Sequence, residues 1–72
     1  MNIGGEDMAG QKIREARGDR SQREVANALG ISVSALSMYE NDVRVPRDGL
    51  KTKMADYFHT TVGSLFFNEE VQ

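Results

Sequence analysis

The tightest constraint on this chain lies between Gln22 and Asn41, where two short amphipathic patterns meet at a single glycine. Val25 and Leu29 lie one helical turn apart, as do Leu36 and Tyr39, so each pair marks an apolar face. Gly30 can take the left-handed backbone that ends the first helix. Ser32 can then accept an orphan amide and start the second. Ala26 is small where the two helices have to touch, and Ile31 adds an apolar anchor beside the turn. Two helices joined this closely cross steeply, forming a helix-turn-helix whose second member can be presented to a DNA major groove.

Length and composition bound what surrounds that unit. A chain of 72 residues buries only about 60% of its unfolded surface, so one compact domain is expected. There is no cysteine, which rules out disulfides and thiolate metal sites. The single histidine, His59, cannot build a structural zinc site, and no metal or cofactor is expected. No apolar run approaches the roughly 18 residues of a membrane span. Residues 1–7 lack the basic-then-apolar pattern of a secretory signal, so a cytoplasmic location is expected. Nothing supports catalysis: there is no Cys nucleophile, no glycine-rich phosphate loop and no second histidine.

Charge argues the other way at first sight. The net charge of −2 and pI near 5.2 are not those of a basic DNA-binding domain. The distribution softens this, because Glu6, Asp7, Glu69 and Glu70 all lie at the chain ends. Between Met8 and Asn68, nine Lys and Arg face seven Asp and Glu. Screening makes near charges count most, so a locally basic face is compatible with an acidic total.

The pattern predicts an all-α domain of five helices over residues 8–67, with a flexible lead at 1–7 and a tail at 68–72. The first helix runs from Met8 to Arg17, with Ala9, Ile13 and Ala16 on one face, and Gly18-Asp19 stops it. Ser21 caps the second, with Glu24 completing a capping box, and the helix ends at Leu29. The third runs from Val33 to Glu40. Pro46 disfavours helical geometry at Val45, which makes 41–46 a loop. A fourth helix is expected from Asp48 to Phe58, with Leu50, Met54, Ala55 and Phe58 inward. Thr61 caps a short fifth helix through Leu65 and Phe66. Val43-Arg44-Val45 alternates like a strand but has no partner to pair with.

Several phrases are familiar as a set: Ile-Arg-Glu-Ala-Arg-Gly (13–18), Ser-Gln-Arg-Glu-Val-Ala (21–26), Leu-Gly-Ile-Ser (29–32), Met-Tyr-Glu-Asn (38–41), Val-Pro-Arg (45–47) and Thr-Val-Gly-Ser-Leu-Phe-Phe (61–67). In this order and spacing they resemble the Cro/phage-repressor type of helix-turn-helix, which includes the xenobiotic-response-element regulators of bacteria and phages. The resemblance spans about residues 9 to 67. It implies a lambda-repressor-like five-helix domain that binds double-stranded DNA as a homodimer on an inverted repeat and represses transcription. It puts Gln22 on a phosphate, and it pairs Arg14 with Glu40 so that a guanidinium neutralises a carboxylate near DNA. The chain departs from the family at four places. Gly18-Asp19-Arg20 holds one residue more than the commonest spacing, and Asp42 stands where glycine often ends the recognition helix. His59 replaces another helix-ending glycine, and Gly63 stands where an acidic residue usually supports the last helix.

On the outer side of the third helix lie Ser32, Val33, Ser34, Ser37 and Met38, followed by Asn41. Arginine and glutamine, the commonest base readers, are absent from that helix. Val33 and Met38 can press on thymine methyls or turn into the core as apolar filler. Ser34 and Ser37 can bond bases or phosphates, giving a readout weighted toward shape and A·T-rich sequence. Arg44 and Arg47, with Gln22, are the best phosphate anchors, and Arg20 and Arg23 can reach the opposite strand. Tyr39 falls on the core side by spacing, with its hydroxyl still able to reach a phosphate at the rim. Leu65 and Phe66 are expected to close the core, and Phe66, Phe67 and Val71 offer apolar surface for a twofold dimer contact. Two other readings compete. An antitoxin-like regulator that also clasps a toxin would bring down a protein partner, and a helical interaction module would not bind DNA. No small-molecule ligand is expected.

Overall fold

Hydroxyl side chains start three of the five helices formed by residues 9–67, which are the residues that the computed structural model describes. In chain order these are α1 (Ala9–Arg17), α2 (Gln22–Leu29), α3 (Val33–Glu40), α4 (Asp48–Tyr57) and α5 (Val62–Phe66), with no strand among the described residues. Ser21 Oγ accepts from the Glu24 amide at 3.0 Å, Ser32 Oγ from Ala35 at 3.0 Å, and Thr61 Oγ1 from Ser64 at 2.9 Å. Each satisfies a first-turn amide that has no partner inside its own helix. The fourth start is different: Arg47 precedes α4 and makes no side-chain cap.

The helix ends repeat one device with three different residues. After α2, Gly30 at φ 72° donates to the Asn27 carbonyl and Ile31 to Ala26. After α3, Asp42 at φ 59° donates to Tyr39 and Val43 to Met38. After α4, His59 at φ 59° donates to Asp56 and Thr60 to Ala55. Each is a Schellman closure built on a left-handed residue. Asp42 and His59 therefore hold the conformation that glycine adopts most readily. Because His59 closes the helix, α4 ends at Tyr57, one residue earlier than its apolar spacing predicts.

The core joins all five helices: Ile13 from α1, Val25, Ala26 and Leu29 from α2, Leu36 and Tyr39 from α3, Met54 from α4, and Leu65 and Phe66 from α5 are buried. Tyr39 is a core residue, as its spacing predicts. Ala16, Leu50 and Phe58 are only half-buried and pack at the edge. Val43 and Val45 do not pair as a strand; they stand exposed in the α3–α4 loop. The expected lead, the Met8 start of α1, the tail and Val71 lie outside the described residues.

One contact sets how α1 meets α3. A Cβ on Gly10 would lie 2.3 Å from the Glu40 carbonyl oxygen, so only glycine allows the two helices this close. The Gly10 amide, in the first turn of α1, donates to Asp42 Oδ1 at 3.0 Å. Asp42 thus closes α3 with its backbone and caps α1 with its side chain.

Candidate nucleic-acid interface

The outer face of α3 carries the candidate base readers at helical spacing. Val33, Ser34 and Asn41 are exposed, and Ser37 and Met38 are half-buried. Val33 keeps 38% of its surface, while Met38 lies partly inward and offers less of its side chain. Asn41 Nδ2 donates to the Ser37 carbonyl at 2.8 Å and to Ser37 Oγ at 3.3 Å, so the two residues form one polar unit at the helix end. Ser32 is engaged as the cap of α3.

Two neighbouring elements carry the other candidate contacts. At the end of α3 the Met38 carbonyl accepts from Val43 at 2.9 Å and Arg44 at 3.3 Å, folding the loop back against the helix. Arg44 and Arg47 are exposed in this loop, and Arg47 leads into the first-turn amides of α4 without capping them by its side chain. Such amides, with the positive end of the helix dipole, suit a phosphate. From α2, Gln22 begins the helix with its side chain at the Glu40 carboxylate, and Arg23 beside it is exposed.

Glu40 joins the two helices of the motif to α1 from a buried position, with 1% exposure. The carboxylate does not pair with Arg14. Arg17 meets it in a two-pronged contact, Nε to Oε2 at 2.8 Å and Nη2 to Oε1 at 3.2 Å. Arg14, one turn earlier on α1, donates from Nη1 to the Glu40 main-chain carbonyl. The reason lies in the lengthened turn at Gly18–Arg20: the Arg20 carbonyl accepts from Arg17 Nη1 at 2.9 Å, holding that guanidinium beside Glu40. Gln22 Nε2 donates to Glu40 Oε1 at 3.0 Å, so the residue expected to meet a phosphate also has a buried anchor. Bidentate guanidinium–carboxylate pairs are strong, and this one cancels a negative charge next to the proposed DNA face.

Two further expectations change. Arg20 does not reach outward: its Nη2 donates to the Ala16 carbonyl at 3.0 Å, and its guanidinium lies 5.1 Å from the Tyr57 ring and 5.6 Å from Phe58. Phe66 cannot make a dimer contact, because it is fully buried; Phe67 keeps 46% of its surface. Lys51 draws no attention in the sequence, yet it is buried with its ammonium 5.4 Å from the Phe66 ring and 5.1 Å from Phe67. Its position on α4 facing α5 is a tertiary fact that no local pattern signals. No group of His, Asp and Glu able to hold a metal occurs among the described residues, and none of their helices is long and apolar enough to cross a membrane.

Comparison with known proteins agrees with this geometry. A helix-turn-helix family model matches residues 11–65. No curated protein matches the chain. Among solved structures, the solution structure of the SOS-response transcriptional repressor LexA from Eubacterium rectale is similar, with a TM-score of 0.81. That match covers all of this chain and 80% of the other at 19% identity, a likeness of fold.

Proposed function

Because the chain belongs to the helix-turn-helix family of DNA-binding transcription regulators, we propose that it is a repressor that binds an inverted repeat as a homodimer. The observation that carries this reading is the outer face of α3, built of small polar and apolar side chains, with exposed Arg23, Arg44 and Arg47 on the segments before and after it. In the proposed complex, Val33 packs on thymine methyls, with the exposed part of Met38 beside it, and Ser34 and Ser37 bond to base edges. Gln22, Arg23, Ser32, Asn41, Arg44 and Arg47 contact the phosphate backbone and fix the register. With no arginine or glutamine on α3, each base pair is weakly discriminated, and a second protomer doubles the anchoring. Phe67, half-exposed at the end of α5, is the apolar residue proposed to meet its twofold mate. Such a regulator works on bacterial or phage DNA in the cytoplasm.

The experiment is binding of duplex DNA across a salt series by the wild type and by Arg44→Ala plus Arg47→Ala. Removing two phosphate contacts per protomer should weaken all sequences alike and reduce the salt slope by about two per protomer bound. Unchanged binding and slope would move the phosphate contacts to other residues, and no duplex binding by the wild type would favour the protein-interaction reading.

A further inference from the structure

The side chain of Gln22 is only partly used by the fold. Its Nε2 gives one proton to Glu40 Oε1 at 3.0 Å. No other protein partner for this amide appears among the described residues, and Gln22 is only half-buried, so the fold leaves its second Nε2 proton unused. The orientation is dictated electrostatically. Turning the amide over would set its carbonyl oxygen against a carboxylate, and an amide has only one end that donates. Glu40 can impose this because it cannot move: Arg17 grips both of its oxygens, and its main-chain carbonyl lies against Gly10 and Arg14.

From this geometry we infer that Glu40 is a positioning residue for DNA binding, holding the Gln22 amide with its free N–H outward to meet a phosphate. The inference rests on the proposed reading of Gln22 as a phosphate contact. It gives the buried carboxylate a task that its charge alone would oppose. An anion beside DNA repels phosphates, and Arg17 removes that penalty while leaving Oε1 able to accept from Gln22. Pre-ordering the amide cuts the entropy lost when it immobilises on the backbone.

The test is a double-mutant cycle on one duplex at fixed salt, using wild type, Q22A, E40Q and the double variant. The replacement amide at position 40 can still accept from Arg17, but one of its two ends now donates, so it no longer dictates how Gln22 is turned. Removing a negative charge should by itself tighten binding. Positioning predicts the opposite sign: E40Q weakens binding about fivefold when Gln22 is present, the loss of one ordered hydrogen bond. In the Q22A background E40Q should leave binding unchanged or tighter. Equal weakening in both backgrounds would reveal a merely structural role, and tightening in both a merely electrostatic one; either overturns the inference. If Q22A alone leaves affinity unchanged, the phosphate reading of Gln22 is what fails, and the inference falls with it. Should E40Q fail to fold, side-chain amide NMR of the wild type decides. One Gln22 Nε2 proton should exchange slowly with water, and added duplex should shift the other. Two freely exchanging protons would overturn the inference.

Discussion

Replacing Gly10 by alanine sets a local rule against a tertiary one, and they predict opposite signs. In an isolated helix the change should stabilise by up to about 1 kcal/mol, since alanine is the better helix former. Here the new Cβ would stand 2.3 Å from the Glu40 carbonyl oxygen and 2.8 Å from its carbon, where real contacts do not fall below 3.0 Å. The obstacle is backbone, so α1 and the end of α3 must part by at least the 0.7 Å between 2.3 and 3.0 Å. Overpacking of this kind costs roughly 1–3 kcal/mol. The parting also stretches the 3.0 Å bond from the Gly10 amide to Asp42, for about 1 kcal/mol more. The net expectation is a loss of about 2 kcal/mol, or roughly 8–16 °C in Tm for a domain of this size. Thermal and urea unfolding followed by far-UV circular dichroism measure it. Gly49→Ala is the control, since an added Cβ in α4 meets nothing within 4 Å and should leave stability equal or slightly higher. A Gly10→Ala protein as stable as the wild type would refute the close approach of α1 to α3.

Other perturbations separate residues that look alike in sequence. Arg17→Ala leaves the Glu40 carboxylate buried without its guanidinium and should cost about 3 kcal/mol in urea unfolding. Arg14→Ala loses one bond from an exposed side chain to a carbonyl and should cost about 1 kcal/mol; equal losses would contradict the assignment of the pair to Arg17. His59→Gly places glycine at φ 59° and should raise stability by about 0.5–1 kcal/mol; a lower Tm would mean the imidazole makes a contact worth more than the relief of strain.

What was legible in the sequence was local. Ser21, Ser32 and Thr61 announce helix starts because a hydroxyl before an apolar period has one common use, and Gly30 announces the turn. The i,i+4 spacings gave the core face of α2, where Val25, Ala26 and Leu29 are all buried. Positions set by three-dimensional registration were not legible. Arg14 and Arg17 lie one turn apart on α1, and only the path of the Gly18–Arg20 turn decides which one meets Glu40. Arg20 looks like a free cation but folds back on Tyr57 and Phe58. Lys51 looks like a surface lysine but lies under two phenylalanine rings. At the candidate interface, helical period put Val33, Ser34 and Asn41 on the outer face, whereas the bond from Gln22 to Glu40 depends on how α2 crosses α3.

The most direct measurement for the proposed function is selection of bound duplexes from a randomised pool at physiological salt, using the full chain. A dimeric reader built on α3 should enrich an inverted repeat with half-sites about one helical turn apart, or 10–10.5 base pairs centre to centre. Its half-sites should favour thymine where Val33 reaches the major groove. Recovery of unrelated sequences, with only weak salt-sensitive binding, would contradict a sequence-specific dimeric repressor.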